Sequence, residues 1–306
     1  MVGRQHRKTA AEVREVNRAA RAHSRSNFVV GFPDNPILTS IRVGTPPKTF
    51  WVAVESGADD LWLLDPAYPN LDPDQSVYNV SDSSTGVSAG DFNETSEDRG
   101  LVGVAYTDVL ETNFASSFTQ AFGAVRGSTA AGWTDPQFEF DGVLGLSWIP
   151  QDAGSLNASS SPILNFFAHL PVAPTSRFFV LWLEDGTIAE VGRFFKFVAT
   201  FGEAPADLCD VANFRFVPLS FDRPTETLGF VVDAFATGSY SDGTAVSAKV
   251  DTGLPLILAP YDQWLGIFYE IQPDYSQRSG LLPAFGAKRR NNDGKVHTAN
   301  PRDIRY

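Results

Sequence analysis

Val54-Glu55-Ser56-Gly57 followed by Leu61-Trp62, and Val250-Asp251-Thr252-Gly253 followed by Ile257-Leu258, are two versions of one short phrase 196 positions apart. In each copy an apolar run delivers an acidic side chain, then a small hydroxyl residue and a glycine, then further apolar residues at matching offsets. The pattern predicts a strand, a tight acidic loop and a returning strand. Two such loops facing each other across a pseudo-twofold axis would bring two carboxylates together as the paired acid and base that activates water.

Three further segments extend the pattern. Val43-Gly44-Thr45-Pro46-Pro47-Lys48-Thr49-Phe50 leads into the first loop, Phe140-Asp141-Gly142-Val143-Leu144-Gly145-Leu146 lies between the loops, and Leu228-Gly229-Phe230-Val231-Val232-Asp233 through Asp242-Gly243 precedes the second. A lone Asp-Thr-Gly is weak, because aspartate and glycine also mark ordinary turns. The two loops and these three segments in the right order, over roughly residues 36 to 265, resemble the pepsin-like family of aspartic proteases, whose two lobes each contribute an Asp-Thr-Gly loop to one active site. The resemblance implies an all-β, bilobal acid protease fold. It also implies that the 140–146 segment packs behind the first loop.

The departures are specific. Where the family carries its first aspartate, this chain has Glu55. After each loop glycine the family usually places a serine or threonine whose hydroxyl bonds the outer carboxylate oxygen, and here those places hold Ala58 and Leu254. The family's flap tyrosine, counted seven residues back from Gly100, falls on Asn93. Phe92 beside it would offer an aromatic face only if the hairpin slipped by one residue. Beyond the second loop the family's closing strands are not found, so the second lobe is expected to be truncated.

Length and composition suit a folded chain with sizeable cores: 306 residues, 43% hydrophobic and 20% charged. Twenty-five glycines, 20 prolines and 24 phenylalanines, with short apolar runs between turn signals, favour β structure. The net charge of −12 is unevenly placed: residues 27 to 277 carry ten basic and 32 acidic side chains, while both ends are basic. Such a body repels nucleic acid and anionic membrane surfaces, so neither is an expected partner. No run approaches the ~18 apolar residues of a membrane span. The single cysteine, Cys209, excludes an internal disulfide and is read as a spare thiol, and none of the four histidines is assigned chemistry.

Residues 1–26 are expected to hold a basic helix over 9–22, with Thr9 and Glu12 spaced as a capping box. It resembles the basic pro-segment of the family's zymogens, and a solvated basic helix without that role explains it equally. Residues 27–175 are assigned to the N-terminal lobe, 176–285 to an incomplete C-terminal lobe and 286–306 to a disordered tail. Strand signals run over 37–43, 49–54, 101–106, 178–183 and 215–219. Ser161 to Leu170 reads as a short helix with proline near its start. Segment 66–98 is expected to carry surface loops and the flap. No secretory signal is visible at Met1, yet the acceptor triplets at Asn79, Asn93 and Asn157 suit a secreted, lysosomal or vacuolar protein.

The mechanism that the resemblance implies needs no cofactor and no metal. Asp251 and Glu55 share a proton and hold a water, while Ser56, Gly57, Thr252 and Gly253 support the two loops. The partner is a peptide or protein substrate in an interlobe cleft, bound by a monomer. Glutamate adds a methylene, and a misplacement of about 1 Å can cost on the order of 100-fold in rate, so weakened endopeptidase activity is expected. Two alternatives stay open: a catalytically inactive peptide-binding or structural homologue, and an incomplete gene model.

Overall fold

The computed structural model describes residues 28–31, 37–95, 100–112, 117–129, 138, 140–147, 161–170, 178–188, 192–201, 204, 210, 213–219, 229–253, 259–271, 288–290 and 296–298. The basic segment 1–26, Cys209, Asn157 and Leu254 lie outside them. Among the described residues there are two α-helices and one 3-10 turn at Val80–Asp82, and the rest of the regular structure is β.

The strands are β1 (Phe28–Gly31), β2 (Leu38–Val43), β3 (Lys48–Glu55), β4 (Leu61–Leu64), β5 (Val87–Thr95), β6 (Gly100–Glu111), β7 (Phe118–Ser128), β8 (Gly142–Gly145), β9 (Phe179–Ile188) and β10 (Gly192–Phe201). These ten form one sheet in the order β5-β6-β7-β4-β8-β3-β2-β1-β10-β9, with an additional pairing of β6 to β2. That extra pairing joins Arg42 to Glu111 and Val43 to Leu110 in register, so β2, β3, β8, β4, β7 and β6 close into a ring. Closure removes free edges from those six strands, leaving β5 and β9 at the ends of the sheet.

Alternation along the strands assigns each side chain to one of two cores. Phe50, Val52, Val54, Leu61 and Leu63 join Ile41, Tyr78, Phe122 and Phe166 in one cluster. Ala53, Trp62 and Leu64 fall on the other face with Phe92, Leu101 and Phe138. Because both faces are covered, β3 and β4 read as nearly continuous apolar runs rather than alternating ones. Trp62 packs on Phe138 with ring centroids 5.1 Å apart, and Tyr78 meets Phe122 edge-on at 4.8 Å. Each such fully buried ring contributes on the order of 2–3 kcal/mol relative to exposure.

Helix α1 (Pro162–His169) forms where the sequence predicts it, with proline in its first turn. It buries Ile163, Phe166 and Phe167, and Phe118 lies edge-on to Phe166 at 5.6 Å. The predicted strand at 215–219 is not one. Residues 213–219 are exposed, with Phe216 90% accessible, and Pro218 removes a donor that a ladder would need.

The chain separates into two compact units, one of residues 1–228 with 249–255 and the other of 229–248 with 256–306. In the second unit, β11 (Gly229–Val232) pairs with β14 (Val246–Lys249), and β12 (Phe235–Thr237) forms a hairpin with β13 (Tyr240–Asp242). Helix α2 (Tyr261–Ile271) packs on that hairpin. Its Trp264 stacks on Phe268 at 5.3 Å, and its Glu270 accepts bonds from the Ser239 N–H and Oγ. Tyr261, Trp264, Leu265 and Phe268 have helical spacing, a signal that a strand-dominated reading passes over. Within the stretch read as a tail, β15 (Lys288–Arg290) pairs with β16 (Val296–Thr298). Three residues a side are too few to show a period.

Candidate active site

The first acidic loop is built by the sheet beneath it. Glu55 is the last residue of β3, and parallel pairing with β8 sets Val54 opposite Leu144 and Glu55 opposite Gly145. β4 leaves the loop antiparallel to the other side of β8. The residues that end β8 then tie the loop down. Leu146 N–H donates to the Glu55 carbonyl at 2.8 Å, Ser147 N–H to the Ala58 carbonyl at 2.8 Å and Gly145 N–H to the Asp60 carbonyl at 2.9 Å. Gly145 has to be glycine, because a Cβ there would stand 2.6 Å from the Ala58 carbonyl oxygen and 2.7 Å from that of Asp60.

Asp141, in the motif between the loops, is fully buried and makes this arrangement stiff. One of its oxygens accepts the Trp51 N–H at 2.7 Å and the other the Ser76 N–H at 2.9 Å. The carboxylate therefore fastens β3 to the segment after β4. Charge-assisted bonds of this kind are stronger than neutral ones.

The second acidic loop meets the first through a reciprocal lattice. Ser56 N–H donates to Thr252 Oγ1 at 3.0 Å, and Thr252 N–H donates to Ser56 Oγ at 3.1 Å. Each hydroxyl also donates to the strand of the opposite loop, Ser56 Oγ to the Val250 carbonyl at 2.8 Å and Thr252 Oγ1 to the Val54 carbonyl at 2.7 Å. Serine in place of threonine keeps both functions of the hydroxyl, donor and acceptor.

The two carboxyl groups are seated the same way. A Cβ on Gly57 would stand 2.6 Å from Asp251 Cγ and Oδ2, and a Cβ on Gly253 would stand 2.7 Å from Glu55 Cγ and 2.8 Å from its Cδ. Each acid therefore rests on the glycine of the other loop, which brings Glu55 and Asp251 together. Glu55 is 7% exposed, and the Asp251 side chain 17%. Asp251 Oδ1 accepts the Gly253 N–H at 3.0 Å, while Lys249 Nζ lies 3.9 Å from Oδ2.

The structure adds three residues that the sequence reading passed over. Lys249 stands two positions before Asp251 in an extended segment, so strand alternation puts both on one face. Asp60 follows the first loop, and its Oδ1 is sealed from solvent without a hydrogen-bond partner. Burial first, then the charges of Asp59 and Glu94, push its carboxyl up to about 7. Ser147 also has a buried hydroxyl oxygen without a partner. Asp59-Asp60 is a visible doublet, but nothing in a linear sequence shows that one of its members is buried.

The β5–β6 hairpin does not make the one-residue slip that an aromatic role for Phe92 would need. Pairing Asn93 with Val102 and Thr95 with Gly100 leaves Asn93 exposed and turns Phe92 into the core, 1% accessible. Its ring covers Gly123, whose Cβ would stand 2.5 Å from it. A slip that freed Phe92 would move every side chain of β5 to the other face.

Known proteins fit the same description. The family model for eukaryotic aspartyl protease matches residues 37–283. The chain is 26% identical over 259 residues to aspartic protease 17 of Caenorhabditis elegans, covering 79% of this chain and 61% of that protein. It is 27% identical over 241 residues to aspartic protease 1 of the same organism, covering 76% and 57%. It is 26% identical over 239 residues to cathepsin D of Dictyostelium discoideum, covering 75% and 57%. The chain belongs to the eukaryotic aspartyl protease family, with the all-β fold its sequence predicts. It spans about three fifths of the length of these relatives.

Proposed function

We propose that this chain is a pepsin-like endopeptidase whose water-activating pair is Glu55 and Asp251. The single observation behind this reading is the exchange of seats, each carboxyl lying on the opposite loop's glycine inside a four-bond lattice. Two carboxyls held this close favour sharing one proton, since ionising both would place like charges side by side. The deprotonated member takes a proton from a water held between them. The protonated member hydrogen-bonds the scissile carbonyl of a peptide and stabilises charge on its oxygen. Ser56 and Thr252 hold the loops in register, and the substrate is an extended peptide bound by a monomer. The sequons at Asn79 and Asn93, both on exposed residues, support passage through a secretory route to an acidic compartment. No helix among the described residues is long and apolar enough to cross a membrane.

Cleavage of an unfolded protein at acidic pH, blocked by a statine-type inhibitor, tests the reading. Asp251→Ala should abolish cleavage. Glu55→Asp should raise it by on the order of tenfold or more, because the shorter side chain returns the carboxyl to the reach of the aspartate it replaces. Absence of products from both the native chain and Glu55→Asp would overturn it.

One observation favours a second reading, a peptide-binding relative without chemistry. Neither loop has the hydroxyl that supports the outer carboxylate oxygen, since position 58 is alanine, and Asp251 faces a lysine instead. This reading predicts that inhibitor or peptide binding survives Asp251→Ala with no products formed.

A further inference from the structure

We propose that Lys249 selects the substrate: its ammonium favours peptides that carry a carboxylate side chain next to the bond held by Glu55 and Asp251. The inference rests on reading that pair as the peptide site, and it names the chemical class of peptide the site takes.

Position is the first ground. Lys249 stands two residues before Asp251 in an extended segment, so the two side chains share a face. Lys249 Nζ lies 3.9 Å from Asp251 Oδ2, whereas Oδ1 is held by the Gly253 N–H at 3.0 Å. The cation thus borders the carboxyl oxygen that the Gly253 N–H does not hold. Successive residues of an extended peptide advance by ~3.3 Å, and their side chains alternate between faces. A peptide whose scissile carbonyl meets Asp251 therefore brings one of the two side chains flanking that bond within reach of Nζ.

Availability is the second. A separation of 3.9 Å is longer than the ~2.7–3.2 Å of an N–H···O hydrogen bond, so Lys249 meets Asp251 through charge and not through a shared proton. The three N–H donors of the ammonium are not consumed by that contact. Among the described residues Asp251 is its one ion-pair partner, and 53% of the side chain is open to solvent. A half-solvated ammonium can take up a second carboxylate without stranding a buried charge, which a closed ion pair cannot do.

The surrounding charge is the third. The acidic body of the chain repels anions at long range, but that field is screened beyond ~8–10 Å, while a cation in contact with its ligand is screened far less. The first loop runs on into Asp59 and Asp60. Acceptance of an acidic side chain is therefore a local property of Lys249, and a basic side chain in the same place meets like charge.

Matched statine inhibitors that differ only in carrying Glu, Gln or Lys beside the statine, on one side or the other, test it. Titration calorimetry at low salt and about pH 5.5 keeps the glutamate ionised. At one of the two positions the native chain should bind the Glu inhibitor about fivefold more tightly than the Gln one, the size expected of an exposed ion pair, and the Lys inhibitor most weakly. High salt should shrink the preference. Lys249→Met should bind the Glu and Gln inhibitors alike, Lys249→Arg should keep the order, and Lys249→Glu should reverse it. Lys249 is half in solvent, so the variants should fold, which an unchanged melting temperature checks. Equal affinity of the native chain for the three inhibitors overturns the proposal, as does a Glu preference that persists in Lys249→Met or the failure of every inhibitor to bind. Because the readout is affinity, a Glu preference with no products formed would sink the catalytic reading alone, and products formed without a preference would sink the specificity alone.

Discussion

The two acidic loops share a phrase but not a foundation. The first is carried on β3, locked by three backbone bonds from residues 145–147, and buries Ser56 to 2% exposure. The second follows a strand whose exit faces water: the side chain of Lys249, its last residue, is 53% exposed, and Val250 after it is 55% exposed. What fixes the second loop from outside is the first, through the bonds of Ser56 to Thr252 and Val250. A site that looks symmetric in its hydrogen bonds thus rests on one rigid half and one half positioned by it. Preorganisation in such a site depends on the shell behind the reacting groups, so damage to the first loop should travel to the second more readily than the reverse.

Exchanging the seats is the severest way to break the comparison. Gly57→Ala puts a methyl where the Asp251 carboxyl now lies, 2.6 Å from its Cγ and Oδ2 and 2.8 Å from its Oδ1, and should displace the group by about 1 Å. Cleavage or statine-inhibitor affinity should fall on the order of 100-fold. Gly253→Ala presses on the longer and more flexible Glu55, which can bend away through an extra torsion, and should cost less. Equal losses from the two variants would mean that the halves are equally rigid.

The lattice offers a middle-sized test. Ser56→Ala leaves the Thr252 N–H and the Val250 carbonyl without their partner, and Thr252→Val does the same to the Ser56 N–H and the Val54 carbonyl. Each should lower unfolding free energy by about 2 kcal/mol, measured by urea denaturation. Thr252→Val should be the costlier for stability, because the groups it strands lie in the buried first loop, where water cannot replace the bond. Ser56→Ala should be the costlier for activity, because it releases the loop that, among the described residues, is held from outside by the first.

The smallest effect should come from Lys249. Its ammonium stands 3.9 Å from Asp251 Oδ2 with half of the side chain in solvent, so Lys249→Met should change stability by less than about 1 kcal/mol. Any effect on turnover should shrink with added salt, which screens exposed charges. A loss of stability as large as that from Ser56→Ala would show that the second loop has an anchor of its own.

Much of this molecule was legible in a single line of letters. The doubled acidic phrase identified the family and an all-β fold, because a strand, a tight loop and a glycine have local requirements that residues announce for themselves. Helix α1 followed from its proline and its apolar face for the same reason. Arg215–Leu219 misled, since an apolar run with strand composition still needs a neighbour to pair with, and Pro218 denies it one. The place of Phe92 was left conditional on the hairpin's register, because a one-residue choice of register decides which face a side chain takes.

What only the tertiary structure decided is how separated residues act on one another. Six strands close into a ring through two residue pairs between β2 and β6, 69 positions apart at Arg42 and Glu111. Glu55 and Asp251 are seated on each other's glycines, and burial, followed by the charges of Asp59 and Glu94, raises the proton affinity of Asp60. Sequence determines backbone preference and side-chain chemistry, which are local. Proximity, exclusion of water and the field of distant charges belong to the folded chain, and these bring acids far apart along a line to bear on one another.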